Sequence, residues 1–229
     1  DRGVALKPGF TLRDLYNERV PYYEKYADIV IDEEGKTAGE TVDELRKSKL
    51  IDPLTGLLNR EGFKNVLSEK CNSNKEFLVA YADLDKFKEI NDFMGHAAGD
   101  LVLKISSARM LSILGMNSPV ARLGGDEFAF VIPGEKSMAL QRCQELIEKI
   151  TQPIALGERT FSIGISIGVS SYPHQATALE ELLDKADMAM YAAKCSHDRA
   201  PVYFEEKMDC QMLINIRGVG YRLDQINEK

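Results

Sequence analysis

The stretch that decides the fold is RLGGDEFAFVI, residues 122–132. Two apolar runs flank a Gly-Gly pair, and glycine reaches the positive φ angles of a tight hairpin turn at little cost. The pattern therefore predicts a β-hairpin with Gly124 and Gly125 at its tip. Two carboxylates, Asp126 and Glu127, follow the turn, and because side chains alternate along a strand they need not point the same way. Acids at a hairpin tip are also common as solvated turn residues.

The composition is that of an ordinary globular protein: 229 residues, 44% hydrophobic and 28% charged, with a net charge of −7. This acidic balance argues against a general binder of nucleic acid or anionic membranes, because such proteins need basic surfaces. No run approaches the roughly 20 apolar residues of a membrane span, and the start lacks a signal-peptide pattern. The four cysteines are far apart, which favours free thiols in a reducing cytoplasm over a zinc site.

The sequence predicts four segments. Residues 1–38 form an appendage of short helices and a strand, since about forty residues rarely bury a stable core alone. Residues 39–51 form a linker helix, which packs on its own domain or against a copy of itself. Residues 52–204 form the main domain, and residues 205–229 form a C-terminal tail.

Both ends of the chain carry weak resemblances. RVPYY (19–23) and ADIVID (27–32) resemble the C-terminal segment of shikimate kinases, but the sequence has no GxxxxGK[ST] phosphate loop, so no kinase is inferred. Residues 214–223 resemble the final hairpin of winged-helix response regulators, without a preceding recognition helix, so no DNA binding is inferred. Two ends that resemble unrelated families suggest fused segments.

The order of elements in residues 52–204 predicts the fold class. Helix, strand, helix, hairpin, helix, strands, helix and strand follow one another, which gives a βαββαβ kernel. We therefore expect an α+β, ferredoxin-like fold with a central, mostly antiparallel sheet covered by helices. In such a sheet the end of the first strand, at Asp83, lies beside the hairpin. Asp83 would then face Asp126 and Glu127.

Three carboxylates at close range predict a bound divalent cation. At an effective dielectric constant of 20, two of them about 4 Å apart repel by roughly 4 kcal/mol. Oxygen ligands favour Mg²⁺, with Mn²⁺ as an alternative, and Mg²⁺ commonly binds substrate phosphates as well. Lys88 and Lys194 would supply positive charge for those phosphates.

Asn91 and Asp100 offer a means of recognising guanine. A carboxylate accepts hydrogen bonds from the two N–H donors of guanine, and an amide donates to the acceptors of guanine. Structural explanations remain open for single residues. Asp100 would also favour the dipole of a helix predicted from about Ala98, and Lys194 would complete a helix at its C-terminal end.

Several motifs, taken together, resemble the GGDEF domain of the diguanylate cyclase family. They occur in the family's order and cover about two thirds of the chain. The matching runs are DPLTGLLNR (52–60), DLDKFK (83–88), ND (91–92), GH (95–96), GD (99–100), RLGGDEF (122–128), SIG (166–168), AD (186–187) and YAAK (191–194).

This resemblance implies a nucleotidyl-cyclase-like fold and the condensation of two GTP molecules into cyclic di-GMP with release of pyrophosphate. Each domain would hold one GTP, so activity would need a homodimer. The family's pattern implies that Asp83, the Leu84 carbonyl and Asp126 hold Mg²⁺. Glu127 would assist with the metal and the attacking 3′-hydroxyl. The implied substrate-binding residues are Asn91 and Asp100 for guanine, Lys88 and Lys194 for phosphates, and Phe87, Gly124 and Gly125.

Two departures from the family's pattern affect this interpretation. Residues 115–118, Gly-Met-Asn-Ser, stand where the family has an RxxD product-inhibition site, so we expect no feedback inhibition there. Asp198 replaces a second basic residue after Lys194, and Arg199 stands one place later. This change would weaken triphosphate binding unless Arg199 takes over the role. The alternative function is a weak or inactive GGDEF module that binds GTP or docks a partner, or that serves only as a scaffold.

Overall fold

The computed structural model describes residues 49–73, 75–115, 118–156, 159–196, 199–205, 213–216 and 220–223, with Gly35 and Thr37. The chain divides into two compact units, Asp1–Lys49 and Leu50–Lys229. The helices and strand predicted before Gly35 lie outside the described residues, as does the linker helix except for its last three positions. Those three form a turn and an isolated bridge, and Gly35 lies in a turn, as expected.

The described part of the second unit alternates helices and strands. Its helices are α1 (Arg60–Asn72), α2 (Phe87–Met94), α3 (His96–Leu114), α4 (Lys136–Ile150) and α5 (Leu179–Cys195). Its strands are β1 (Phe77–Asp85), β2 (Val120–Gly124), β3 (Glu127–Pro133), β4 (Ile154–Leu156), β5 (Arg159–Phe161), β6 (Gly164–Tyr172), β7 (Val202–Tyr203), β8 (Leu213–Ile216) and β9 (Gly220–Leu223).

Five strands form the central sheet in the order β2-β3-β1-β6-β7. All neighbours are antiparallel except β6 and β7, which are parallel. This arrangement confirms the predicted α+β fold with a ferredoxin-like kernel. β4 pairs with β5 and β8 pairs with β9, each pair forming a separate two-stranded sheet; the second pair is the hairpin expected in the tail.

β1 is buried on both faces, which explains its uninterrupted apolar sequence. Leu78, Ala80 and Ala82 pack with residues of α3 and α4 in one cluster. Phe77 and Val79, on the opposite face, pack with residues of α1 and α5 in a second cluster. Because successive side chains of the strand point to opposite faces of the sheet, β1 contributes residues to both clusters.

Three local predictions were wrong. The acidic end of β1 predicts that a loop follows it, but the segment forms α2, which ends at Met94, before Gly95 with φ 83°. α3 begins at His96 rather than near Ala98, so Asp100 lies in its second turn and not at the positive end of the helix. The apolar run of residues 161–169 predicts a strand, but it is interrupted, because β5 ends at Phe161 and β6 begins at Gly164.

Two features of the structure concern the chain's environment: the state of its cysteines and the length of its apolar helices. Cys71, Cys143 and Cys195 are free thiols, as predicted. Within the described residues, no helix is both long and apolar enough to span a bilayer.

Helix α5 approaches the sheet closely at Gly168, in the middle of β6. A Cβ atom on Gly168 would lie 1.9 Å from the Met190 nitrogen and 2.2 Å from the Ala186 oxygen, both in the backbone of α5. A side chain there would force α5 away from the sheet.

We expect Gly168→Ala to lower the free energy of unfolding by about 3 kcal/mol, because overpacking against backbone cannot be relieved by a side-chain rotation. Urea denaturation measures the loss. Thr160→Ala, at an exposed position of β5, is the control and should change stability little. A Gly168→Ala protein as stable as the wild type would contradict this packing.

Candidate active site

The hairpin tip is a two-residue turn displaced by one position from the prediction. β2 ends at Gly124 and β3 begins at Glu127, so Gly125 and Asp126 form the turn. The pairing of β2 with β3 shifts between Arg122 and Gly124, and this irregularity moves the turn. Gly125 has φ 52°, in the left-handed region where glycine is favoured.

Arg122 fixes the hairpin tip to the DPLTG turn. Its Nε donates to the Gly125 carbonyl at 2.9 Å, and its Nη1 lies 3.2 Å from Asp52 Oδ2. The Asp52 carboxylate also accepts from the Thr55 N–H and hydroxyl, at 2.9 and 2.6 Å. Arg122 and Asp52 side chains are only 15% and 16% exposed, so the ion pair is shielded from solvent.

The register of the sheet places Asp83, near the end of β1, directly opposite Glu127 of β3. On its other side Asp83 is opposite Ser166 of β6. Directly opposed residues in antiparallel strands project from the same face, with their Cβ atoms about 5 Å apart. The Leu84 N–H also donates to the Asp126 carbonyl, at 3.2 Å. The sheet therefore joins the end of β1 to the hairpin tip.

Lys194, in the last turn of α5, forms an ion pair with Asp83. Its Nζ lies 2.8 Å from Asp83 Oδ1, and the Asp83 side chain is 13% exposed. Burial raises the pKa of Asp83 to about 6; the Lys194 ammonium opposes the rise, and the charges of Asp126 and Glu127 add to it. Lys194 therefore does more than end a helix: it neutralises a buried carboxylate.

Two residues to which the sequence analysis gave no role surround Glu127. Arg60 Nη2 lies 3.4 Å from Glu127 Oε2, and Arg60 Nε donates to the Leu123 carbonyl at 3.3 Å. Tyr81 lies on the same face of β1 as Asp83, and burial followed by the charge of Glu127 raises the pKa of its hydroxyl. Arg60 ends the DPLTGLLNR run, whereas Tyr81 is indistinguishable in sequence from a core residue.

Asp187 of α5 belongs to the same charged group. Burial raises its pKa to about 6, and the charges of Glu127, Asp184 and Asp83 add to the rise while Lys194 opposes it. The sequence analysis quoted Asp187 within a motif without assigning it a role. Its contribution depends on α5 packing across β1 and could not be inferred from spacing alone.

Helices α2 and α3 bring together the two candidate guanine-reading residues. Asn91 of α2 packs against Gly99 of α3, where a Cβ atom would lie 2.0 Å from Asn91 Oδ1. Asp100 is the next residue and is exposed. Lys88 is exposed, but the Phe87 side chain lies in the core and is 8% exposed, which leaves its backbone to meet a ligand.

A cavity of about 840 Å³ lies on the β6 side of the end of β1. Lys194, Arg199 and Ser166 are among its lining residues. The Ser166 hydroxyl donates to Asp85 Oδ1 at 2.7 Å, which holds one wall of the cavity. Lys86, Lys194 and Arg199 therefore offer three cations to a space that the carboxylates of Asp85 and Glu89 also line.

The residues at the end of β1 fit a hard divalent cation. Asp83, Asp126 and Glu127 carboxylates and the Leu84 carbonyl are oxygen donors, the set that Mg²⁺ prefers. The Asp83 carboxylate already has a cationic partner, because the Lys194 ammonium lies 2.8 Å from its Oδ1. Among the described residues, no three His, Cys, Asp or Glu side chains already form a metal-ligating cluster.

The fold has counterparts among known proteins. A family model described as "Diguanylate cyclase, GGDEF domain" matches residues 49–200. The chain belongs to the GGDEF domain family. The GGDEF domain of TpbB from Pseudomonas aeruginosa, a solved structure, is 39% identical with a TM-score of 0.65; the match covers 68% of this chain and 94% of that one.

Full-length relatives of this GGDEF domain carry different activities in their names. The diguanylate cyclase TpbB of P. aeruginosa is 43% identical over 150 residues, 62% of this chain and 34% of that protein. The cyclic di-GMP phosphodiesterase NbdA of the same organism is 40% identical over 165 residues, 69% of this chain and 21% of that protein. The chain spans about a fifth to a third of the length of its curated relatives.

The ion pair that fixes the hairpin tip to the DPLTG turn predicts strong energetic coupling between Asp52 and Arg122. In a double-mutant cycle with Asp52→Ala and Arg122→Ala, we expect a coupling energy of about 1–2 kcal/mol in urea unfolding, because the pair is shielded and each partner makes further hydrogen bonds. The matched control is Lys64 with Glu180, an exposed pair at 3.9 Å, whose coupling should be under about 0.5 kcal/mol. Equal coupling energies in the two cycles would contradict the role of Asp52 and Arg122 in fixing the hairpin tip.

The raised pKa of Asp187 predicts that the free energy of unfolding depends on pH. The folded protein disfavours the ionised carboxylate, so stability falls as pH rises from about 4, the ordinary pKa, through about 6, and the cost is complete above that. We expect Asp187→Asn to raise the free energy of unfolding at pH 8 by about 1 kcal/mol, after allowance for solvent screening.

The same variant should flatten the stability profile between pH 4 and 6.5, as measured by thermal denaturation in a series of buffers. Glu69→Gln, at an exposed position of α1, is the control and should follow the wild-type profile. A profile for Asp187→Asn that runs parallel to the wild type would show that this carboxyl carries no such cost.

Proposed function

We propose that this chain is a diguanylate cyclase, which condenses two GTP molecules into cyclic di-GMP and releases two pyrophosphates. The observation that carries the proposal is the placement of Asp83 opposite Glu127 at the hairpin tip, with the Lys194 ammonium 2.8 Å from Asp83. Membership of the GGDEF family and likeness to the diguanylate cyclase TpbB support it. Residues 52–204 would be the catalytic domain, acting in the cytoplasm.

Each half of the reaction joins a 3′-oxygen to an α-phosphorus. The 3′-hydroxyl of one GTP attacks the α-phosphorus of the other, the bond from that phosphorus to the β-phosphate oxygen breaks, and pyrophosphate leaves. Glu127, which contacts Arg60, would accept the hydroxyl proton or orient that hydroxyl. A second attack in the opposite direction closes the ring.

The remaining residues bind and orient the nucleotide. Asn91 and Asp100 read the guanine edge, and Lys88 and Lys194 contact the phosphates. Mg²⁺, or Mn²⁺ in its place, held by Asp83, Leu84 O, Asp126 and Glu127, would neutralise charge on the phosphates and the leaving group. Gly124 and Gly125 leave space at the tip, since a Cβ atom at either position would meet nothing within 4 Å.

One domain offers residues for one GTP, so the complete reaction needs two domains face to face. We infer a homodimer as the active form, with the two hairpin tips approaching a shared pair of nucleotides. The rate per chain should therefore rise with protein concentration until the dimer is saturated.

A second candidate function is a GGDEF module that binds GTP or docks a partner without turnover. Its specific support is that NbdA and PdeB, at 40% and 34% identity, are named as cyclic di-GMP phosphodiesterases, so related GGDEF domains occur in proteins named for another activity. The altered basic position at Asp198 also favours it. GTP binding without product would select this function.

We expect purified protein with GTP and Mg²⁺ to form cyclic di-GMP and pyrophosphate, detected by chromatography and mass spectrometry. Glu127→Gln should lower the rate by at least 100-fold, the usual scale for loss of a proton-transfer group, while leaving the unfolding temperature within a few degrees. Glu148→Gln, exposed on α4, is the control and should keep the wild-type rate. Wild-type turnover by Glu127→Gln would refute the role assigned to Glu127.

A further inference from the structure

One lysine has two anionic partners at this site. The Lys194 ammonium lies 2.8 Å from Asp83 Oδ1. The proposed function assigns that carboxylate to a divalent cation and that ammonium to the nucleotide's phosphates. The two assignments oppose each other while the ion pair persists, because a cation on Asp83 and the Lys194 ammonium are like charges drawn to the same carboxylate.

We propose that Lys194 is an exchangeable counter-ion, which neutralises Asp83 when no divalent cation is bound and transfers to the nucleotide's phosphates when one binds. The identity of these ligands rests on the proposed function. The exchange makes the binding of cation and nucleotide mutually reinforcing: arrival of the cation releases the ammonium for phosphate, and phosphate draws the ammonium away from the carboxylate. By linkage, each ligand strengthens binding of the other by the same factor.

Asp83 needs a counter-ion because of its surroundings. Its side chain is only 13% exposed, and it lies directly opposite the Glu127 carboxylate across the sheet. A buried carboxylate without a partner is strongly destabilising. Lys194 supplies the charge that lets this acidic site fold before a metal ion is bound.

Lys194 can leave Asp83 without a change in the fold. It occupies the last turn of α5, its side chain is 35% exposed, and a lysine ammonium is carried on four flexible methylene groups. Rotation about these bonds moves the charge while the helix backbone stays in place.

The space that Lys194 can enter contains further positive charge. The Lys194 side chain already lines the 840 Å³ cavity together with Lys86 and Arg199, and the carboxylates of Asp85 and Glu89 line it as well. The Asp85 carboxylate accepts from the Ser166 hydroxyl at 2.7 Å. An anionic group beside Lys194 would therefore have two further basic side chains in the same space.

The test is the affinity for Mn²⁺ in the absence of nucleotide, measured by electron paramagnetic resonance of free Mn²⁺ at pH 8.5, where Asp83 is ionised. Lys194→Met removes the competing charge and should bind Mn²⁺ roughly threefold to tenfold more tightly than the wild type. Lys194→Arg keeps a charge that pairs more firmly with a carboxylate and should bind Mn²⁺ more weakly than the wild type. Lys64→Met, with the same change in net charge at an exposed position of α1, should leave the affinity unchanged.

A second measurement follows the other half of the exchange. With a GTP analogue whose α- and β-phosphorus atoms are joined by a methylene group, Mn²⁺ should strengthen nucleotide binding to the wild type, and Lys194→Met should lose most of that enhancement. A cooperative thermal transition that lies above the assay temperature, even where it is lower than that of the wild type, establishes that both variants are folded.

The proposal is overturned if Lys194→Met binds Mn²⁺ no more tightly than the wild type, or if the wild type binds none. The proposal is supported if Mn²⁺ affinity decreases from Lys194→Met through the wild type to Lys194→Arg. Because the Mn²⁺ titration contains no GTP and measures no turnover, its failure is separate from a failure to form cyclic di-GMP. If the variants show the predicted order of Mn²⁺ affinity but the protein makes no cyclic di-GMP, the counter-ion role of Lys194 stands and the cyclase assignment fails.

Discussion

The pairing of β1 with β3 fixes the position of the charged groups at the candidate active site. Seven residues of β1 are matched to β3, from Phe77 opposite Pro133 to Asp83 opposite Glu127. A shift of one residue would turn Asp83 to the other face of the sheet, away from Lys194. Burial of β1 on both faces prevents such a shift, because the shift would exchange the contents of two packed cores. The register that builds the core therefore also builds the site.

The site is an acidic cluster whose cost is offset by three basic residues on separate elements. Arg122 ties the hairpin tip to the turn at Asp52, Arg60 contacts Glu127, and Lys194 contacts Asp83. Burial, and then the charges of neighbouring carboxylates, raise the pKa values of Asp83 and Asp187. Additional positive charge beside these buried carboxylates would favour their ionised forms. This is the physical reason for associating the site with a metal ion and a polyphosphate.

The sequence predicted the fold class and the neighbourhood of Asp83 and the hairpin, because alternation, turn glycines and element order are local signals that a ferredoxin-like topology combines in few ways. It missed α2, because a helix of only eight residues gives few repeats of the helical period and Lys86, the residue before it, gives no side-chain cap. It misplaced the hairpin turn by one residue, because the irregularity between Arg122 and Gly124 depends on pairing with β3. The roles of Arg60, Tyr81 and Asp187 depend on packing between distant segments, which spacing does not reveal.

The most direct measurement of the central claim is a crystal structure of this protein with Mg²⁺ and a GTP analogue that cannot be cleaved at the α-phosphorus. The account predicts guanine between Asn91 and Asp100, the cation on Asp83 beside the hairpin tip, and the Lys194 ammonium on phosphate oxygens instead of the carboxylate. A nucleotide bound elsewhere, or one bound at this site with no cation on Asp83, would contradict it.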